Sequence, residues 1–227
     1  MPLKAMYPQG GEKVLIYHVT GEKVPEGKLP LDVGAVVLNC TTISSIARYC
    51  RTGLPLVKKC VTVDGSAVKN PMNVLVPIGT RMKDVFEATG GFKEEPKMVL
   101  YGGPMMGIAV PDLEQPILKN TNAILAFGEA EATPPEPTAC IKCGKCIAHC
   151  PLSLMPCEME TAYKKGNMER LMHLKVNLCM ECGCCSFICP AHRPLVQTNK
   201  LAKAQVMAYK NALKAKAEAE KQKEAAK

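Results

Sequence analysis

Two runs of cysteine give this sequence its clearest chemistry. The chain has 227 residues and 13 cysteines, and ten of those cysteines lie between positions 140 and 189. Each run reads Cys-x2-Cys-x2-Cys-x3-Cys-Pro; the members are Cys140, Cys143, Cys146 and Cys150, then Cys179, Cys182, Cys185 and Cys189. A constant offset of 39 residues relates the runs, which therefore form an internal repeat.

This spacing suits a cube of iron and sulfide. Three thiolates, each separated by two residues, can wrap a tight loop and reach different irons, and Gly144 and Gly183 let the backbone approach. In two-cluster ferredoxins the fourth cysteine binds the other cluster. We therefore expect two [4Fe-4S] clusters with crossed ligation. Their ligands are Cys140, Cys143, Cys146 and Cys189 for cluster 1, and Cys179, Cys182, Cys185 and Cys150 for cluster 2.

A pair of zinc sites is the alternative use of these cysteines. Zinc usually takes one Cys-x2-Cys pair and a distant second pair, whereas each run here holds four cysteines before its proline. Disulfides are not expected, because Met1–Gly11 lacks the apolar core of a secretory signal and clustered cysteines in such a chain favour metal. Iron–sulfur ligation is therefore the preferred interpretation.

Five cysteines lie outside this ligand set: Cys40, Cys50, Cys60, Cys157 and Cys184. Cys184 maps onto Lys145 by the offset, so we expect a buried thiol beside a cluster rather than a ligand. The other four are predicted to be small buried residues. His149 and His192 flank the runs and are predicted to lie on the surface, with tuning or partner contact as the alternative for His192.

The elements that position the cysteines are predicted to be helical. The long connection between the runs has helical patterns over Met155–Lys164 and Met168–Lys175, with a break at Gly166. This favours an all-helical, ferredoxin-like dicluster domain over residues 140–200, closed by a helix at Pro194–Tyr209. Residues 201–227 are predicted to be a Lys/Ala-rich helical tail, because they consist mainly of good helix formers.

The preceding residues predict an α+β protein. Residues 1–59 are expected to be an α/β fragment, with a helix at Gly11–Thr20, a buried strand at Gly34–Leu38 and a helix that Thr41 or Thr42 caps and that runs to Arg51. Residues 128–139 are rich in Pro and Glu and predict an extended linker.

Residues 60–127 are expected to be a small sheet packed on one helix. The predicted strands are Cys60–Val63, Asn73–Ile78, Lys97–Tyr101 and Ala123–Phe127. The helix is predicted at Arg81–Ala88, with Thr80 as its N-cap.

Charge and hydropathy narrow the possible partners. The net charge is +8, but much of it lies in the Lys-rich tail, which lacks the interleaved aromatic residues of a nucleic-acid surface. No nucleic acid is therefore expected. No apolar run approaches the roughly 18 residues that span a bilayer, so any membrane association is expected to be peripheral.

Together with the cysteine runs, three further motifs resemble the subunit designated C in the Rnf ion-translocating electron-transport complex. They are YPQGGEKVLI at Tyr7–Ile16, VKNPMNVLVPIGT at Val68–Thr80 and GGPMMG at Gly102–Gly107. The resemblance implies a peripheral subunit on the cytoplasmic side of the bacterial membrane. Its complex couples electron transfer between ferredoxin and NAD to Na⁺ or H⁺ transport, as a translocase. The implied partners are other Rnf subunits and a ferredoxin or another cluster-bearing protein.

The same resemblance implies domains and cofactors. Residues 1–59 would be the end of the family's FMN- and NADH-binding α/β domain, and residues 60–127 its soluble-ligand-binding β-grasp domain. The Gly-rich flavin loop of the family precedes YPQGGEK, and no G-x-G-x-x-G run occurs in this chain. We therefore expect a partial form of this subunit that lacks roughly its first half. The sequence assigns no residue to flavin, and we expect this chain alone to act only as an electron relay.

Two other functions remain open from the sequence. A cobalamin-reducing flavo-iron-sulfur protein has the same architecture and would differ in its substrate and partners. A non-redox module would use the clusters as structural staples and the basic tail to bind nucleic acid, with a steep dependence on salt.

Overall fold

The computed structural model describes residues 1–225. Its helices are α1 (Glu12–Thr20), α2 (Cys40–Thr52), α3 (Met82–Ala88), α4 (Glu129–Ala132), α5 (Lys145–Ala148), α6 (Pro156–Lys164), α7 (Met168–His173), α8 (Cys184–Phe187) and α9 (Leu195–Ala225). Its strands are β1 (Lys58–Asp64), β2 (Met72–Pro77), β3 (Met98–Tyr101), β4 (Ile108–Ala109) and β5 (Ala123–Phe127). The predicted α+β class is confirmed.

The chain divides into two compact units. The cysteine unit combines Met1–Val36 with the chain from Glu136 onward, and the sheet unit is Val37–Pro135. The predicted segment 1–59 is thus shared between the two units.

The sheet unit is built on one mixed sheet with the strand order β2-β1-β5-β3-β4. β1 pairs antiparallel with β2 and parallel with β5, while β3 pairs antiparallel with both β5 and β4. Side chains alternate across β1, so Val61 and Val63 are fully buried, and they share a core with Met82 and Phe86 of α3. The four predicted strands are therefore confirmed.

The strand predicted at Gly34–Leu38 is wrong. A 3-10 helix at Pro30–Val33 ends at Gly34, whose φ of 69° lies in the left-handed region, and the next residues have no strand partner. Val36 and Leu38 remain 72% and 49% exposed. A short apolar run does not specify a strand when no neighbouring strand is available to pair with it.

Both predicted helix caps are also displaced. Asn39, rather than Thr41 or Thr42, caps α2, because its side chain accepts a hydrogen bond from the Thr41 amide. Arg81, rather than Thr80, is the N-cap residue of α3, and it makes no side-chain cap. The helices themselves lie where the sequence predicts them.

The cysteine unit is helical around its cysteine runs. α6, α7 and α9 bury an apolar cluster that includes Met159, Leu171 and Val206. α9 begins at Leu195 and continues through the predicted helical tail to Ala225. The last two residues of that predicted tail, 226–227, lie outside the described residues. Within residues 1–225, no helix combines the length and apolar character needed to cross a membrane.

The linker prediction is wrong in its first part. Glu129–Ala132 forms the short helix α4, and Thr133 already has extended backbone angles. Two glutamates in its first turn suit the positive end of the helix dipole, which explains the helical start of a segment that becomes Pro-rich afterwards.

Candidate metal centre

The two cysteine loops have the same unusual backbone conformation. Lys142 and Gly144 in the first loop have φ values of 57° and 73°, and Glu181 and Gly183 in the second have 60° and 83°. These pairs are related by the 39-residue offset. Left-handed backbone is unfavourable for non-glycine residues, so its recurrence at Lys142 and Glu181 indicates a loop shape that both runs require.

The first cavity is formed around the first cysteine run. Its volume is about 390 Å³, and its lining cysteines are Cys140, Cys143, Cys146, Cys157 and Cys189. Cys140 and Cys143 are exposed, whereas Cys146 is buried. Cys189 comes from the second run, so this cavity gathers the four cysteines predicted for cluster 1, together with Cys157.

The second cavity mirrors that arrangement. Its lining cysteines are Cys150, Cys179, Cys182, Cys184 and Cys185, and Cys150 comes from the first run. Cys182 and Cys185 are buried. The void is much narrower, at about 20 Å³, and Leu154 and Val196 also line it. The four cysteines predicted for cluster 2 are therefore neighbours, with Cys184 beside them.

The donor chemistry of both cavities fits iron and sulfide. Thiolates are the usual ligands of iron–sulfur clusters, and each cavity holds four thiols of the predicted set. Within residues 1–225, no three Cys, His, Asp or Glu side chains are grouped closely enough to hold a single metal ion.

The protein environment alone favours the protonated form of Cys146, Cys179 and Cys185. Burial, and then the neighbouring Cys179 and Cys182, raise the pKa of Cys185 to about 12. Burial followed by the nearby Cys157 raises the pKa of Cys146, and burial also raises the pKa of Cys179. Since metal ligands must be thiolates, a cluster bound by these three cysteines would have to supply compensating positive charge and release their protons.

A buried ion pair borders the first cavity. Arg193 binds Glu160 through two hydrogen bonds of 2.7 Å, and it donates a third, of 2.8 Å, to the Thr138 carbonyl. Glu160 is only 2% exposed, and Lys164 also contacts it at 2.9 Å. Burial acts to raise the pKa of Glu160, but hydrogen bonds from Arg193 and Lys164 prevail and lower it. The pair ties α6 to the segment that follows Cys189.

An amide and an ammonium border the second cavity. The Asn199 Nδ2 donates to Cys179 Sγ at 3.7 Å, and Asn199 is 1% exposed. Lys203 lies one turn further along α9, where its Nζ donates to the Cys179 carbonyl at 3.0 Å and to Glu181 Oε1 at 2.5 Å. The second cysteine loop is thus anchored to α9 through polar groups.

The beginning of the chain also packs on this second loop. The Tyr7 hydroxyl donates to the Cys182 carbonyl at 2.6 Å. A Cβ atom at Gly11 would meet the flexible end of the Met180 side chain, so the chain approaches the second loop closely at this point. Glu26 accepts hydrogen bonds of 3.0 Å from Lys175 and Asn177.

Some predictions for the remaining cysteines are wrong. Cys40, Cys50 and Cys60 are exposed rather than buried, because α2 has no buried residue and Cys60 points to the solvent side of β1. Cys157 and Cys184 are half-buried and line the cavities. His149 and His192 are exposed, as predicted.

Several neighbours of the cavities are absent from the sequence-based prediction. They are Tyr7, Glu160, Arg193, Asn199 and Lys203. The offset of 39 residues could have found part of this set, since it maps Glu160 onto Asn199 and Lys164 onto Lys203. Tyr7 opens the YPQGGEKVLI motif, but nothing in the sequence predicts its contact with Cys182, which is 175 residues away.

The sheet unit contains a separate open cleft with a volume of about 730 Å³. It lies between Phe92–Val99 and Ala109–Leu113. No cysteine or histidine lines it, so its chemistry differs from that of the cysteine cavities.

Comparison with known families assigns two segments. Residues 1–48 match the Nuo51 FMN-binding domain, and residues 60–109 match the SLBB domain. The SLBB match covers most of the sheet from β1 to β4. The cysteine runs lie outside both matches.

Curated relatives match over most of this chain. The relative from Clostridium ljungdahlii is the subunit designated C of the proton-translocating ferredoxin:NAD(+) oxidoreductase complex. It is 46% identical over 154 residues, or 68% of this chain and 34% of the relative. The corresponding subunit of the Na(+)-translocating complex of Acetobacterium woodii is 43% identical, covering 73% of this chain and 37% of the relative. The corresponding subunit of the Rhodobacter capsulatus ion-translocating oxidoreductase complex is 38% identical, covering 88% of this chain and 38% of the relative.

The chain thus spans a little over a third of the length of these three relatives. By this similarity the chain belongs to the family of the subunits designated C in the Rnf ion-translocating oxidoreductase complexes.

Proposed function

We propose that this chain relays single electrons through two [4Fe-4S] clusters, as part of a membrane-bound ion-translocating ferredoxin:NAD oxidoreductase. The observation that carries the proposal is the exchange of cysteines between the cavities. Each cavity gathers three cysteines of one run and the fourth cysteine of the other run. That is the ligation expected of a two-cluster ferredoxin, and it supports two adjacent clusters.

The proposed ligands divide by cavity. Cys140, Cys143, Cys146 and Cys189 hold cluster 1; Cys179, Cys182, Cys185 and Cys150 hold cluster 2. Both loops have left-handed backbone at matched positions, which supports the predicted repeat and one cluster in each cavity.

The surroundings support a relay rather than a complete reaction centre. When bound, the clusters supply one-electron chemistry, and the protein holds them and adjusts their potentials. We assign no residue of this chain to FMN or NADH. The segment that matches the FMN-binding domain includes Tyr7, whose hydroxyl contacts the second cysteine loop, and this favours cluster 2 as the neighbour of a flavin-binding region.

The partners follow from the named complexes of the relatives. Other Rnf subunits and a ferredoxin or cluster-bearing protein are the proposed partners, on the cytoplasmic face of the bacterial membrane. Because Cys140 and Cys143 are exposed, a redox partner can approach the first cavity.

Reduction and reoxidation of the purified chain test this proposal. Anaerobically prepared protein is reduced with dithionite, and its EPR spectrum is integrated. We expect about two unpaired electrons per chain, one for each reduced four-iron cluster, and loss of the signal when a one-electron acceptor is added. A chain that gives no EPR signal on reduction, or one that the acceptor does not discharge, contradicts the relay.

A further inference from the structure

We propose that Asn199 sets the reduction potential of cluster 2 by donating its side-chain amide hydrogen to the Cys179 thiolate. The inference rests on the proposed function, because it assumes a cluster in the second cavity. It assigns a tuning role to a residue outside the cysteine runs, carried by α9.

The burial of Asn199 has no explanation in packing alone. The side chain is 1% exposed, and its Oδ1 has no hydrogen-bond partner among the residues that the structure describes. Because an unsatisfied buried polar atom is destabilising, an apolar residue of this size would be the more stable choice. The amide is retained at a place where its other end contacts Cys179 Sγ at 3.7 Å.

The orientation of the amide agrees with a thiolate acceptor. Nδ2 points to the sulfur, and the opposite orientation would direct the Oδ1 lone pairs at the same negative charge. Lys203 fixes the geometry, since it holds the Cys179 carbonyl and Glu181 from the same side of α9. The donor is therefore positioned by a rigid helix rather than by a loop.

The first cavity has no equivalent donor at the related position. The 39-residue offset places Glu160 where Asn199 stands and Lys164 where Lys203 stands. Glu160 is held by Arg193 and Lys164, and as a carboxylate it cannot donate. Each cluster thus has four cysteine ligands, but the matched position holds Glu160 beside cluster 1 and Asn199 beside cluster 2.

This difference has a direct electrostatic consequence. Reduction adds negative charge to a cluster, and a hydrogen bond to a ligand sulfur stabilises that added charge. Asn199 therefore raises the potential of cluster 2, and its removal lowers the potential of that cluster alone.

The variant Asn199→Leu tests the inference in the full chain. Leu has a similar size and no amide, and it also removes the orphaned Oδ1. In an anaerobic redox titration followed by EPR, we expect the reduction equilibrium of cluster 2 to shift about tenfold towards the oxidised form, or about 59 mV for one electron. Cluster 1 stays unchanged. Thr198→Val is the matched control, since Thr198 is buried on the same helix and bonds only to the Pro194 carbonyl.

A second measurement does not depend on a variant. Asparagine labelled with ¹⁵N at its side-chain amide is incorporated into the wild-type chain, and pulsed EPR of the reduced protein should detect coupling to one cluster. Unchanged potentials in an iron-loaded Asn199→Leu protein, or absence of this coupling, overturn the inference and leave the relay intact. A wild-type chain that holds no iron overturns the relay as well.

Discussion

The two cysteine cavities share a ligand pattern and differ in their surroundings. Both are built on a loop with left-handed residues at matched positions, and both receive one cysteine from the other run. The first has exposed cysteines and a charged pair at its side, whereas the second is narrow and bordered by an amide. Cysteine spacing thus determines which cofactor can bind, while the flanking helices determine the environment in which it works.

Replacement of a single ligand cysteine should have the largest effect, because it removes one cluster and shows which cavity that cysteine serves. Cys185 and Cys189 are four residues apart in one run, yet they line different cavities. We expect Cys189→Ala to remove the same EPR signal as Cys146→Ala, and Cys185→Ala to remove the same signal as Cys150→Ala. Each variant should lose about half of the iron, because one four-iron cluster of two is lost.

The opposite grouping would contradict the exchange of cysteines. If Cys189→Ala and Cys185→Ala removed one and the same signal, each run would hold its own cluster. Cys60→Ala is the control, since Cys60 is exposed on β1, and it should leave the iron content unchanged.

Removal of Arg193 should destabilise the surroundings of the first cavity. Arg193→Met keeps much of the side-chain volume but leaves the buried carboxylate of Glu160 without its bidentate partner. Breaking a buried pair costs about 3–5 kcal/mol, and we expect about 3 kcal/mol because Lys164 still contacts Glu160. Urea unfolding monitored by circular dichroism measures the loss. The exposed pair Arg81–Asp84 supplies the control variant Arg81→Met, for which a much smaller loss of stability is expected because solvent screens an exposed pair.

The same pair predicts a dependence of stability on pH. Since the folded protein lowers the pKa of Glu160, its contribution is complete above the ordinary value of 4.5 and disappears as the pH falls through the lowered pKa. In Glu160→Gln this contribution is absent at every pH. Melting temperatures of the two proteins should therefore differ by a steady amount above pH 4.5 and converge only as the pH falls below 4.5 through the lowered pKa of Glu160. A difference that grows on acidification would contradict this account.

The contact of Tyr7 with the second cavity should have the smallest effect. Tyr7→Phe removes one hydrogen bond to the Cys182 carbonyl from a half-exposed side chain. About 1 kcal/mol or less is expected, measured as a lower melting temperature, together with a perturbed EPR signal of cluster 2 alone. Tyr17→Phe changes an exposed tyrosine of α1 and should alter neither property.

Local patterns in the sequence predict much of this fold, and the corrections have physical causes. The alternating residues of β1 and the helical patterns of α6 and α9 predict these elements because each buries one face. Gly34–Leu38 fails because pairing with another strand, rather than apolar composition, makes a strand. Cys40 and Cys50 fail because α2 buries none of its residues within its unit.

At the two cysteine cavities, the sequence likewise predicts the residues that follow a local pattern and misses those that tertiary packing brings close. Cysteine spacing predicts the groups of residues that line each cavity, since ligands of one cluster must follow its geometry. Asn199, Arg193 and Tyr7 approach the cavities through tertiary packing, which no local pattern encodes. Only the offset of 39 residues, extended beyond the cysteines, relates Asn199 to Glu160.

The iron and acid-labile sulfide content of the anaerobically purified chain tests the central claim most directly. Two four-iron clusters require about eight irons and about eight sulfides per chain, and zinc should be absent from the same sample. About two zinc ions per chain with no sulfide would contradict the account, because the cysteine cavities would then be structural zinc sites.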